Sequence, residues 1–179
     1  MRISKVVTRN GDKGKTNLAK GESVSKNESI INAIGDVDEL NSILGVCNSF
    51  CKDNSIINDI KTIQNDLFNI GGEISLNDSE KKLLGDESLL FLDNKINEMN
   101  EELAPLEEFI LPGGDSFSSN LHFARSVARR AERSVVELYI KELENNNIVK
   151  YLNRLSDYLF VLARFYNKNN NIDENMWEK

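Results

Sequence analysis

A chain of 179 residues is long enough for one domain with a substantial core. Its 29 Asp and Glu outnumber 22 Lys and Arg, and the net charge of −7 sets aside a general nucleic-acid binder, because the phosphate backbone would repel it. No apolar run approaches the roughly 18 residues of a membrane span, and the N-terminus lacks the order of a secretory signal, so no membrane partner and a cytoplasmic setting are expected.

With only Pro105 and Pro112 as prolines, the chain favours helices over a sandwich or barrel. Residues 1–25 are polar and glycine-bearing, with a short apolar patch at Ile3, Val6 and Val7, and read as a non-helical arm. Within this arm "TRNGDKGKT" (8–16) holds two glycines, three cations and an aspartate and ends like a Walker A loop. The spacing excludes that motif: a glycine is required five positions before Gly14, where Arg9 stands, and no helix start follows. The composition still suits a polyphosphate. Gly11 and Gly14 let backbone N–H groups converge, Lys13 and Lys15 add charge, and Thr8 and Thr16 offer hydroxyls. Asp12 fits beside phosphate only if it positions Mg²⁺ or the loop's own N–H groups. A flexible polar terminus would have the same composition.

Three- and four-residue spacing then predicts a helix over 28–51, carrying Ile30, Ile34, Val37, Leu40, Leu44 and Cys47 on one face. Cys47 and Cys51 share that face and read as buried free thiols. A second helix carries Ile56, Ile60, Ile63, Leu67 and Ile70 and is expected to stop at Gly71-Gly72. After an acidic connector, Leu89, Leu92, Ile96, Met99 and Leu103 mark a third helix ending before Pro105. "FILPGGDS" (109–116) is a loop, with Ser116 or Ser118 as cap for a fourth helix over 118–144 that turns Leu121, Ala124, Ala128, Ala131, Val135 and Tyr139 inward. "NNN" (145–147) breaks it. A fifth helix, 148–167, presents Leu152, Leu155, Leu159, Leu162 and Tyr166, and the Asn-rich tail 168–179 is expected to fray. The fold expected is all-α: a single domain over 1–179, built as an antiparallel five-helix bundle (28–167) behind an N-terminal arm.

Several polar residues sit at the edges of these stripes. In "ARSVARRAERSVVEL" (124–138), Arg125, Arg129 and Glu132 fall within about 60° of one another on a helix, while Arg130 and Arg133 point further out. Asp38 lies at the edge of the first stripe with Asn41 nearer its centre, and Asn153, Asp157 and Arg164 flank the fifth. Each reads singly as solvated charge. Together they describe a polar seam that either a ligand or a protein interface would fill. The lone His122 leaves no basis for a di-iron or zinc centre.

In order, "TRNGDKGKT", "SKNES", "GDVDELNS", "FILPGG", "LHFARSVARRAER" and "YLNRLSDYLFVLAR" resemble the PduO-type ATP:cob(I)alamin adenosyltransferases, from residue 8 to about 166. The resemblance implies a homotrimer with active sites between subunits. It implies transfer of the 5′-deoxyadenosyl group of Mg²⁺-bound ATP to cob(I)alamin, with release of triphosphate. A flavin-dependent reductase would supply cob(I)alamin, a B12-dependent enzyme would accept the product, and association with a microcompartment is left open.

By position, the resemblance places ATP against the arm (Thr8, Asn10, Gly11, Asp12, Lys13, Gly14, Thr16) and against Lys26, Arg129, Arg130, Glu132, Arg133 and Asn153. Phe109 would occupy the lower face of cobalamin. Asp38 and Arg125 would pair across the subunit boundary beside cobalamin, and with Arg129 and Phe109 they form the expected catalytic set. Mg²⁺ would be held mainly by ATP's phosphates. A non-catalytic helical carrier or regulator that binds nucleotide or corrinoid is the alternative.

Overall fold

The structure, a computed structural model, describes residues 7, 9, 11–78, 80–140 and 146–179. They form a short hairpin, β1 (Lys15–Asn17) and β2 (Ser23–Ser25), and five helices: α1 (Ser29–Phe50), α2 (Asn54–Leu76), α3 (Asp86–Glu101), α4 (Ser116–Leu138) and α5 (Asn147–Asn169). The all-α expectation and the order of the helices hold. The hairpin lies inside the arm, where strands this short leave little alternation to read.

α4 packs against both α1 and α5, while α2 covers α1 and α3 covers α5. Ala124, Ala128 and Ala131 are fully buried at one-turn spacing on α4. Their small side chains let both neighbours approach closely, since interaxial distance follows the residues at the contact. Short connections make α1/α2 and α4/α5 antiparallel, and Ser29 bonding Glu137 at 3.2 Å shows the same for α1/α4. α3 and α5 instead run parallel: Asp86 meets Asn147 at 2.7 Å and, one to two turns on, Asp93 meets Arg154 at 2.8 Å. The long connectors on either side of α3 permit this.

Lys95 and Asp59, 2.8 Å apart, tie α3 to α2. Inside the same seam the buried Asp66 carboxylate accepts hydrogen bonds from Tyr151 and Ser88, each at 3.0 Å, joining α2, α5 and α3. Burial raises the Asp66 pKa above its ordinary value, although the two hydrogen bonds oppose that.

The helix ends differ from expectation in instructive ways. α2 runs through Gly71-Gly72 to Leu76, and the residue that stops it is Asn77, in the left-handed region at φ 46°. Gly72 serves packing instead: a Cβ there would sit 3.2 Å from a Leu83 methyl of the overlying connector. α4 is capped by Asp115, whose side chain accepts from the Ser118 N–H at 2.9 Å, rather than by Ser116 or Ser118. Ser118 lies inside the helix and bonds Asn167 at 2.5 Å. The described part of α4 ends at Leu138, and 141–145 lie outside the described residues, as do Ile3 and Val6 of the apolar patch. Asn146 caps α5 through bonds from the Ile148 and Val149 N–H groups. The tail does not project freely: it folds back, with Ile110 and Met176 forming an antiparallel bridge.

Candidate functional site

The arm is built around its glycines. Gly14 takes φ 72° and its N–H bonds the Gly11 carbonyl at 3.1 Å, closing a tight turn that leaves Asp12 and Lys13 exposed. Gly11 makes room for a lysine: a Cβ there would lie 2.6 Å from the Lys26 ammonium nitrogen. The Lys26 N–H closes the base of the hairpin on the Gly14 carbonyl at 2.9 Å. The fold thus brings Gly11, Lys13, Gly14, Thr16 and Lys26 to one corner. Thr8 and Asn10 lie outside the described residues.

Buried Leu18 and Val24 hold the hairpin to the bundle. At its tip the Ala19 N–H bonds Ser75, and Lys20 meets Asp78 at 2.7 Å. Between hairpin and bundle lies an open cleft of about 500 Å³, lined in part by Glu22, Asn27, Ser29, Leu138 and Tyr139.

A second group occupies the rim of α4 and α5. Asn153 donates to the Glu132 carboxylate at 3.2 Å, so these two expected ATP residues meet across the helix pair. Arg129 is exposed and forms no ion pair among the described residues, and its backbone carbonyl accepts from the Arg133 guanidinium at 2.8 Å. Arg130 differs. Its guanidinium bonds Glu39 and lies 3.5 Å from Asp36, while Ser134, one turn on, donates to Asp36. Two acids of α1 therefore partner Arg130, which braces α1 against α4 from the same rim. Sequence spacing could not show this, because both acids lie on a different helix, about 90 residues away.

Arg125 is half-buried over the Phe160 ring, 5.9 Å from its centroid, and its Nε is buried with no hydrogen-bond partner. Asp38 is exposed on α1 and also lacks a partner among the described residues. The structure does not bring Asp38 and Arg125 together within one chain. His122 is buried against Phe160, and burial first, then Arg125, hold its pKa below the ordinary value. It is neutral and enclosed, unsuited to acid–base work.

The third group surrounds Phe109, which is 74 % exposed. The Phe109 carbonyl accepts from the Trp177 N–H at 2.7 Å, the Leu111 N–H donates to Asn175 at 2.8 Å, and the Phe109 and Trp177 ring centroids lie 6.3 Å apart. Met176 and Trp177, both partly exposed, extend the apolar surface. Neither was singled out from sequence. The chain's one tryptophan, set in an Asn-rich tail, was the available signal.

An arginine-bearing rim with Arg129 exposed, a glycine-built basic corner and an exposed aromatic loop on a five-helix bundle suit a binder of an anionic nucleotide and an apolar-faced second ligand. The chain belongs to the cobalamin adenosyltransferase family, whose model matches residues 6–166. A cobalamin adenosyltransferase from Cupriavidus metallidurans is 43 % identical over 182 residues, spanning 99 % of this chain and 96 % of that protein. A corrinoid adenosyltransferase from Bacillus subtilis is 38 % identical over 180 residues, 98 % of this chain and 93 % of its own. Among solved structures, a phenylalanine-to-alanine variant of the PduO-type ATP:corrinoid adenosyltransferase from Lactobacillus reuteri, complexed with cobalamin and ATP, superposes with a TM-score of 0.90. It is 32 % identical and covers 98 % of this chain and 100 % of that one. These relatives bear the names of enzymes, which favours catalysis over a carrier or regulator.

Proposed function

We infer that this protein transfers the 5′-deoxyadenosyl group of ATP to cob(I)alamin, giving adenosylcobalamin and triphosphate. The observation that carries the reading is chemical. In a chain with surplus acid, Lys13, Lys15, Lys26 and Arg129 have no carboxylate partner among the described residues, although Arg130, Arg154 and Arg164 do. Unpaired cations at a glycine corner and a helix rim suit a polyphosphate.

In the reaction the electron pair of Co(I) forms a bond to the ribose 5′ carbon. The C–O bond to triphosphate breaks, and that oxygen leaves with its pair. Negative charge grows on the leaving group, and fixed cations such as Arg129 and the lysines of the arm would stabilise it. No protein base is required, in keeping with a buried, neutral His122. Glu132 and Asn153 orient the nucleoside, and Arg133 adds charge at the same rim.

Among the described residues no cluster of three acidic, histidine or cysteine groups is placed to cage a metal. Mg²⁺ would enter with ATP and offset the charge of its phosphates, and Asp12 is the acidic residue of the arm that would stand nearest it. Phe109 supplies an aromatic face without a donor atom. Set against the lower face of the corrinoid, it displaces the axial ligand and eases reduction to Co(I).

Among the described residues Arg125 and Asp38 have no ionic partner, and they become a pair between copies, in a homotrimer with sites at the subunit boundaries. A flavin-dependent reductase supplies the reduced corrinoid and a B12-dependent enzyme receives the product. The free thiols of Cys47 and Cys51 accord with the reducing cytoplasm. No described helix is long and apolar enough to cross a membrane. The test is anaerobic incubation with ATP, Mg²⁺ and chemically reduced cobalamin: the corrin spectrum is expected to change to that of a Co–C bond, and no change with folded protein would overturn the reading.

A further inference from the structure

Arg164 is the one Arg or Lys that is buried among the described residues, at 7 % exposure. Its Nε lies 3.3 and 3.4 Å from the two Glu174 carboxylate oxygens, and its Nη2 donates to the Ala104 carbonyl at 3.1 Å. One guanidinium thereby joins α5, the connector leading to Phe109, and the tail. The tail reaches this point through a reversal at Asn171, at φ 54°, with the Ile172 N–H bonding the Asn167 carbonyl at 2.9 Å. One residue beyond Glu174 the tail begins to pair with 109–111.

That pairing is short. Two backbone hydrogen bonds hold it, and a slip of one residue would turn every side chain of the tail to the opposite face. An ion pair that is buried adds little net stability, because desolvation offsets its attraction, and its best-attested use is to fix a register. Glu174 stands three residues before Trp177, so anchoring its carboxylate selects which face Trp177 turns to Phe109. Lys179, 2.9 Å from Glu108, closes the far end with an exposed pair worth much less.

We propose that Arg164 and Glu174 are positioning residues for the reaction: their ion pair sets the register of the tail on the Phe109 loop, and so the aromatic face offered to the corrinoid. This rests on the adenosyltransferase reading.

The test uses Glu174→Gln in the full chain, with Glu174→Asp as the conservative variant and thermal melts to show that the bundle is folded. Trp177, as the chain's one tryptophan, reports the tail directly. Its fluorescence should become more accessible to a neutral quencher in Glu174→Gln, with partial recovery in Glu174→Asp. In steady state, KM for cobalamin should rise on the order of fivefold or more, the low end of coupling between sites, while KM for ATP stays put. Unchanged quenching would overturn the register role, and freed Trp177 with unchanged cobalamin kinetics would overturn the role in the reaction. An equal rise in both KM values would reduce the effect to general loosening and also overturn it. If wild-type protein shows no turnover, the adenosyltransferase reading fails, whereas the quenching result still decides the register role of the ion pair.

Discussion

At the scale of single residues, Arg129 and Asp66 illustrate opposite uses of charge. Arg129 is exposed and has no ionic partner among the described residues, so its removal should cost the fold almost nothing. Arg129→Ala is expected to melt like wild type yet lose activity on the order of a hundredfold or more, the usual cost of deleting a group that stabilises developing charge. Near-wild-type turnover, measured by the same corrin spectrum, would remove it from the mechanism. Asp66 is buried, and burial raises its folded pKa above the ordinary 3.8. The folded state therefore binds the proton more tightly than the unfolded chain. The stability this confers is fully present below pH 3.8 and is lost as pH rises through the raised folded value. Melting wild type and Asp66→Asn across that range should show the difference shifting toward the variant as pH rises, and a pH-independent difference would contradict this. Cys47, raised to about 12 mainly by burial, stays a protonated thiol throughout.

Between elements, the contact of α1 with α4 governs where the seam residues stand. Asp36 and Glu39 of α1 brace Arg130 and Ser134 of α4. With those two acids turned inward, Asp38 is left on the outer side of α1. A double-mutant cycle on Arg130→Ala and Glu39→Ala is expected to give a coupling of about 0.5–1 kcal/mol, as for a partly exposed pair. Arg130→Ala should also disturb KM for ATP far less than Arg129→Ala does. Zero coupling, or a larger ATP effect from Arg130 than from Arg129, would return Arg130 to the nucleotide.

Helix stripes such as Ile56, Ile60, Ile63, Leu67 and Ile70 were legible because burial repeats with the helical period. What resisted reading depends on partners distant in sequence. Gly72 looks like a stop until Leu83 is seen above it. Arg164 looks solvated until Glu174 and Ala104 are seen beside it. Asp36 and Glu39 look like any surface acids until α4 is docked. The arm, rim and Phe109 loop were each present as composition, but only their shared order linked them to one chemistry.

For the whole molecule, the chain offers three groups of functional side chains that it does not close into one site by itself. The arm packs at the C-terminal end of α4, whereas Arg129 stands nine residues earlier, about 14 Å along the helix axis. Asp38 is exposed and Arg125 half-buried over Phe160, and neither has an ionic partner among the described residues. Assembly of copies resolves both facts if Asp38 of one meets Arg125 of the next. Asp38→Ala is accordingly expected to lower the trimer fraction in light scattering or, with mass retained, to raise KM for cobalamin. Unchanged mass and unchanged kinetics would count against the pairing.

In the proposed reaction ATP's 5′ carbon is passed to the corrinoid with triphosphate as the leaving group. The most direct measurement is to quantify triphosphate and adenosylcobalamin together in one anaerobic reaction of wild-type protein with ATP, Mg²⁺ and reduced cobalamin. Equal amounts of the two, rising together, are predicted. Folded protein that binds ATP yet yields no adenosylcobalamin, or triphosphate released without it, would contradict the account.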